Sequence, residues 1–350
     1  MLKNKSDSLA FYARIAVMLQ AFFLLLLILY LGKILLIPLF FALLIAILLY
    51  PVTLFFERRL NRKLAAVLSV LIFLVFIGSI VFFFTKELLL FLKDLPKAQT
   101  KFMEIVQNLQ NWVSLKFNVD ASQQMDYLRK SAGSLSSSVI ASVGTTFMSM
   151  MEFVVLFIFF LIFTFFILVH RRIFKNFILA FFDPSSKQKV NGVITSTRSM
   201  MNNYVVGLLT EMAILFTSIL IILLLLGVKY ALLIAVIAAV LNIIPYLGIY
   251  IAATFGMLIA VTNGSSNLAI EVGISFIIVH TLDANILMPH IVGGRVKINP
   301  FITIVAVFIG KLIWGIPGMF LFIPLTAIIR IISENVIELK PWSILIGEEK

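Results

Sequence analysis

Between Lys229 and Glu271 the chain runs for 41 residues without an aspartate, glutamate, lysine or arginine. A run of that length belongs in hydrocarbon, where about 20 apolar residues make one helical crossing. It is not a plain pair of spans, however. Asn242, Pro245 and Gly248 break it, and so does the polar stretch Thr262-Asn263-Gly264-Ser265-Ser266-Asn267. The apolar pieces that remain, 230–243 and 247–261, are short for full crossings. That pattern predicts broken or re-entrant helices, whose freed backbone groups must be satisfied by protein or by a wet cavity.

The rest of the chain follows the same rule. It is 62% hydrophobic with a mean hydropathy of +1.12, where soluble domains hold roughly 45–50% apolar residues. The expected fold is therefore all-α, a polytopic transmembrane protein. Its 350 residues leave room for about seven or eight membrane segments, the broken or re-entrant ones included. The net charge of +12 would suggest a nucleic-acid partner in a soluble protein. Here much of the excess lies in short loops between apolar runs, which is the positive-inside signature, so the expected partner is the lipid bilayer and no nucleic acid. Cysteine is absent, which removes disulfides and thiolate metal sites.

Taken in order, residues 1–85 read as N-terminal transmembrane helices, with spans over Ile15–Leu31, Ile34–Phe56 and Leu64–Thr85. The basic N-terminal residues resemble a signal peptide, but the apolar run has no small-x-small cleavage pattern, so an uncleaved first span is expected. Residues 57–63 carry four positive charges and one negative and are placed in the cytoplasm. Residues 86–146 read as an extracytoplasmic amphipathic helical arm, in which Phe102, Ile105, Val106, Leu109, Trp112 and Val113 recur at helical spacing. Residues 147–202 hold a further span and a cytoplasmic amphipathic helix that starts at Asp183-Pro184. Residues 203–332 read as a C-terminal core with broken helices, and 333–350 as a cytoplasmic tail. By parity both termini are cytoplasmic.

Within that core, Leu241-Asn-Ile-Ile-Pro-Tyr-Leu-Gly248 resembles the Ile-Pro-x-x-Gly element of the AI-2E family of bacterial transporters. Pro289-His-Ile-Val-Gly-Gly294 followed by Ile298-Asn-Pro300 is similar to a second family element. Gly310, Gly315-Ile-Pro-Gly318 and Phe322-Ile-Pro-Leu325 resemble its closing region. Tyr204-Val-Val-Gly207 with Thr210-Glu211 stands where the family usually has a Tyr-x-x-Gly-Gln-like segment, and departs from it at the amide. The resemblance implies a transporter of the bacterial inner membrane that exports the quorum-sensing signal autoinducer-2, or a cation/proton antiporter. It also implies a homo-oligomer, with a pentamer expected.

The residues themselves nominate a pathway. Carboxylates at membrane depth are rare enough to be functional hypotheses; Glu211 and Asp283 are the leading ones, with Glu271 and Glu152 nearer an interface. Asp283 could take a proton or cation, or hydrogen-bond a polyol. Asn285, two residues on, could join it in an unwound segment. Arg295 could pair with Asp283 or meet an oxygen-rich ligand. Asn242, Pro245 and Gly248 free backbone groups at a helix break, while Pro289, Gly293, Gly294 and Pro300 mark the second irregular stretch. His280 and His290 could relay protons. No metal, cofactor or enzymatic activity is expected: three histidines without clustered carboxylates make no metal site, and no Walker, Gly-x-Ser-x-Gly or His-Glu-x-x-His motif occurs. The first functional hypothesis is passage of a small polar solute such as autoinducer-2. The second is monovalent cation (Na+ or Li+)/proton antiport. The third is a non-transporting membrane scaffold that uses the 86–146 arm for partners.

Overall fold

The computed structural model describes the chain except residues 1–4, 118–152, 243–247, 264, 265, 289, 292, 293, 295, 296, 349 and 350. Among the described residues every extended element is helical. They are α1 (Lys5–Leu31), α2 (Lys33–Glu57), α3 (Arg62–Phe117), α4 (Phe153–Ala180), α5 (Pro184–Leu225), α6 (Ala231–Leu241), α7 (Gly248–Asn263), α8 (Ser266–Leu282), α9 (Pro300–Trp314), α10 (Ile316–Asn335) and α11 (Lys340–Ile346). A π-helical turn, Asp283–Leu287, continues α8. Seven helical stretches are long and apolar enough to cross a membrane; three apolar helices, α6, α7 and α9, are shorter. The protein is thus an all-α, multi-pass membrane protein.

At two of the expected boundaries the helix is continuous. The composition changes at Lys86, but α3 does not stop there: it runs unbroken for 56 residues, because the lysines, glutamate and leucines that follow that point are good helix formers and carry the helix on. The side chains of the expected stripe Phe102 to Val113 lie outside the described residues, as do 118–146 and Glu152. Likewise Pro184 starts a helix, as Asp183 predicted, with its carbonyl taking the amides of Ser186 (2.9 Å) and Lys187 (3.2 Å). That helix then runs without interruption into the following span, 42 residues in all.

The chain forms two compact units. The first comprises residues 1–51, 159–202 and 296–350, the second 52–158 and 203–295. In the first, α9 and α10 make a tight hairpin. A Cβ on Gly310 would collide with the carbonyl of Gly318, and a Cβ on Gly318 with that of Gly310. Only two glycines allow the backbones to lie this close. Trp314, at the hairpin tip, donates its indole N–H to the Leu29 carbonyl (2.8 Å), and its ring meets Phe40 and Phe322. The chain end is tied back as well: Asn299 N–H bonds the Ile346 carbonyl (2.9 Å), and Arg330 donates to Lys297 carbonyl (2.5 Å) and Glu334 (2.7 Å).

The second unit holds the main apolar core. Leu215, Ile219 and Leu223 of α5 meet Ile234, Ala235 and Ala238 of α6, Ala252 and Ile259 of α7, and Val272 and Phe276 of α8. A Cβ on Gly256 would lie only 3.3–3.4 Å from side-chain atoms of Ile234, Val272 and Phe276, so the glycine lets α7 pack closely there. The α5–α6 turn closes through Gly227 at φ 69°; Val228 N–H returns to the Leu223 carbonyl (2.9 Å), a glycine-dependent helix stop. Just beyond it, Lys229 and Tyr230 both bond Asp94 of α3, and Phe91 packs edge-on against Tyr230 and Phe255. The hydrogen bond to Asp94 holds the Lys229 ammonium above its ordinary pKa range. These contacts fix α6 and α7 in place, and with them the polar centre described next.

Candidate functional site

Three polar side chains from three helices of the second unit converge. Glu211 stands in the body of α5 and is 5% exposed; Asp283 opens the π turn after α8 and is 3% exposed. Asn242 caps the C-terminal end of α6, its backbone N–H still bonded to the Ala238 carbonyl (3.0 Å). Its side-chain amide nitrogen is therefore free to donate twice. One hydrogen goes to Glu211 Oε1 and the other to Asp283 Oδ2, each at 3.3 Å. A single amide thus bridges two buried carboxylates that are 31 and 41 residues away from it in sequence.

Local chemistry explains why Asn242 sits there. α6, at 11 residues, rises about 17 Å, little more than half the thickness of the hydrocarbon core. It ends on asparagine, and α7 begins at Gly248 so close that a Cβ there would fall on the Leu241 carbonyl. The elbow between α6 and α7 needs that glycine. Pro245, within the elbow, lies outside the described residues. On the other side, the π turn widens α8 by one residue per turn at the point where Asp283 faces inward. This widened turn replaces the unwound segment that the sequence suggested.

The second carboxylate oxygen of Asp283, Oδ1, is buried and has no hydrogen-bond donor among the described residues. His280 precedes Asp283 by one helical turn; its Nδ1 is also buried without a partner, and its ring meets Tyr250 edge-on at 5.4 Å. Tyr204, two turns before Glu211 on α5, is 2% exposed. The seven-residue spacing that puts it on the Glu211 face was available in sequence, but a tyrosine in an apolar helix reads first as core. Tyr250 carried no such signal. One open carboxylate oxygen on Asp283, a second carboxylate beside it, one fixed amide and an adjacent imidazole can hold a proton or a small cation, or accept hydrogen bonds from hydroxyl groups.

The other nominated residues lie elsewhere. Asn285 is exposed and donates to its own helix at the Thr281 carbonyl (2.8 Å); His290 is exposed and bonds Ile286 in the same way (2.7 Å). Glu271 and Gly294 are exposed. Pro300 takes the first position of α9 in the first unit, where Asn299 caps the helix by accepting from Phe301 N–H (2.9 Å). Pro289, Gly293 and Arg295 lie outside the described residues. Among those described, no group of three or more histidines and acids could hold a metal ion.

Comparison with known proteins gives these observations a context. The family model described as "AI-2E family transporter" matches residues 17–338. "Putative transport protein YueF" of Bacillus subtilis is 25% identical over 315 residues, covering 86% of this chain and 85% of that protein. "Putative transport protein YrrI" of the same organism is 34% identical over 114 residues, a third of this chain and 32% of its own length. "Putative transport protein YhhT" of Escherichia coli is 35% identical over 127 residues, 35% of each chain.

Proposed function

Because the chain belongs to the AI-2E transporter family, we propose that it carries a small polar solute such as autoinducer-2 across the bacterial inner membrane, with both termini in the cytoplasm. The carrying observation is the Glu211–Asn242–Asp283 bridge. Two carboxylates held on one neutral amide, away from water, call for a proton, a cation or a hydroxyl-rich ligand to complete them. Asp283, with one oxygen open, is the group that exchanges partners. Glu211 and Asn242 set its geometry, and Gly248 keeps the elbow tight enough to hold Asn242 in reach. Arg295, Asn285 and the Pro289–Pro300 stretch belong to the solute's route rather than to the bridge. The chain works as a homo-oligomer, a pentamer by family resemblance.

One observation favours a second reading, monovalent cation/proton exchange. An open Asp283 oxygen beside a second carboxylate is a set of hard oxygen ligands, which suits sodium or lithium as well as an alcohol.

Flux from proteoliposomes loaded with autoinducer-2, measured with and without an imposed proton gradient, tests both. The expected result is gradient-sensitive efflux by the wild-type protein that falls to the level of protein-free liposomes in Asp283→Asn. Efflux indifferent to the gradient and to the substitution would remove Asp283 from the pathway. An absence of organic efflux, with sodium-driven proton movement lost in the same variant, would establish the second reading instead.

A further inference from the structure

In the first unit two arginines converge on one tyrosine. The guanidinium carbon of Arg198, on α5, lies 3.7 Å from the centroid of the Tyr50 ring, and that of Arg171, on α4, lies 5.0 Å from it. At 3.7 Å the Arg198 guanidinium is in van der Waals contact with the ring. Such contact uses the π face of the guanidinium and leaves its in-plane N–H groups available for a planar, forked partner. Arg198 is exposed, and its contact with Tyr50 is the interaction it makes among the described residues. Arg171 spends one donor on the Leu168 carbonyl (3.1 Å). Three helices thus bring two cations to one ring.

The surroundings say what kind of anion they meet. Between Phe159 and Asn202 there are six lysines and arginines against one acid, Asp183. α4 is 28 residues long, about 42 Å, while hydrocarbon takes up about 30 Å. The 28 described residues of α4 therefore exceed one crossing, and the first basic residues after its apolar run, Arg171 and Arg172, mark where it leaves the hydrocarbon. The remaining turns of α4 do not become polar. Phe174 and Phe177 of α4 and Phe181, one residue past its end, are 50%, 61% and 73% exposed. Exposed phenylalanines interleaved with cations at the depth of the headgroups are the composition of a surface that lies in the lipid interface.

We propose that Arg198 and Arg171, set by Tyr50, form a binding site for the phosphate of an anionic phospholipid, whose acyl chains pack along the exposed phenylalanines of α4. The lipid is a structural ligand of the first unit, distinct from the transported solute. Its phosphodiester offers the forked oxygens that guanidinium groups match, and its tails cover apolar surface that a soluble anion would leave bare.

The test uses the full-length protein, delipidated in neutral detergent and titrated with phosphatidylglycerol, with phosphatidylcholine or with inorganic phosphate. Retained lipid is read by native mass spectrometry, and thermal stability by intrinsic fluorescence. Wild type should retain phosphatidylglycerol over phosphatidylcholine and gain stability from it. Arg198→Ala should weaken retention by about tenfold, the loss of one charge-assisted contact. Tyr50→Phe keeps the ring and should behave as wild type, which separates loss of the site from loss of the fold. Equal retention by wild type and Arg198→Ala, or by wild type and Arg198→Lys, would overturn the site, since a bare surface charge would then suffice. Displacement of phosphatidylglycerol by millimolar phosphate would overturn the lipid as occupant.

Discussion

Asn242→Leu should stop transport and lower stability by about 3 kcal/mol or more, although leucine is close to asparagine in size. The side chain donates to two buried carboxylates at once, so its removal leaves both acceptors without their donor. A buried unsatisfied polar group costs about 1–3 kcal/mol, and more when it is charged. The cause can be separated from a packing defect by adding Glu211→Gln and Asp283→Asn to the same chain. Two amides have no excess negative charge to leave unpaired, so the triple variant should regain most of the lost thermal stability and none of the transport. Wild-type flux in the single variant would mean that the bridge is not part of the pathway.

Gly310→Ala should damage the α9–α10 hairpin severely. The added methyl would land on the Gly318 carbonyl, and a backbone atom cannot turn aside as a side chain can. Overpacking of this kind costs typically 1–3 kcal/mol, and the hairpin must either open or shift along its axis. Opening would draw Trp314 away from the Leu29 carbonyl, so quenched tryptophan emission should shift along with the melting temperature. Gly78 supplies the contrast: it lies inside α3 with nothing within 4 Å of a Cβ. Gly78→Ala should be neutral or raise stability by about 0.5–1 kcal/mol through helix propensity alone. If both substitutions behaved alike, close backbone approach would not be what holds the hairpin.

Hydropathy made the membrane-crossing helices legible, because each needs about 20 apolar residues and such runs are hard to mistake. The break at the end of α6 was legible too: asparagine, proline and glycine within seven residues of apolar chain have few other readings. Glu211, Asn242 and Asp283 could each be nominated alone, as polar groups where polar groups are costly. Their meeting could not. Nothing in local spacing encodes a contact across 31 or 41 residues, and Asn285 looked the better partner for Asp283 because it is near in sequence. In the π turn, two residues correspond to more than 160° around the axis, which sends Asn285 to the outside. The same limit hid the stack on Tyr50, whose arginines lie far along the chain from it. The continuity of α3 was not read from the sequence, because charge changes at Lys86 and a helix need not end where its charge content does.

The unbroken α3 has a practical consequence. A helix of 56 residues measures about 84 Å, more than twice the hydrocarbon thickness, so the bilayer cannot enclose it. Leu115, near one end and 88% exposed, stands where a water-borne reagent can reach it. The native chain contains no cysteine. A single thiol introduced at that position would be the one reactive handle on the molecule, and a membrane-impermeant maleimide applied to intact cells or to inverted vesicles would find it from one side alone. The long helix thus makes the sidedness of the whole chain a matter of one labelling reaction.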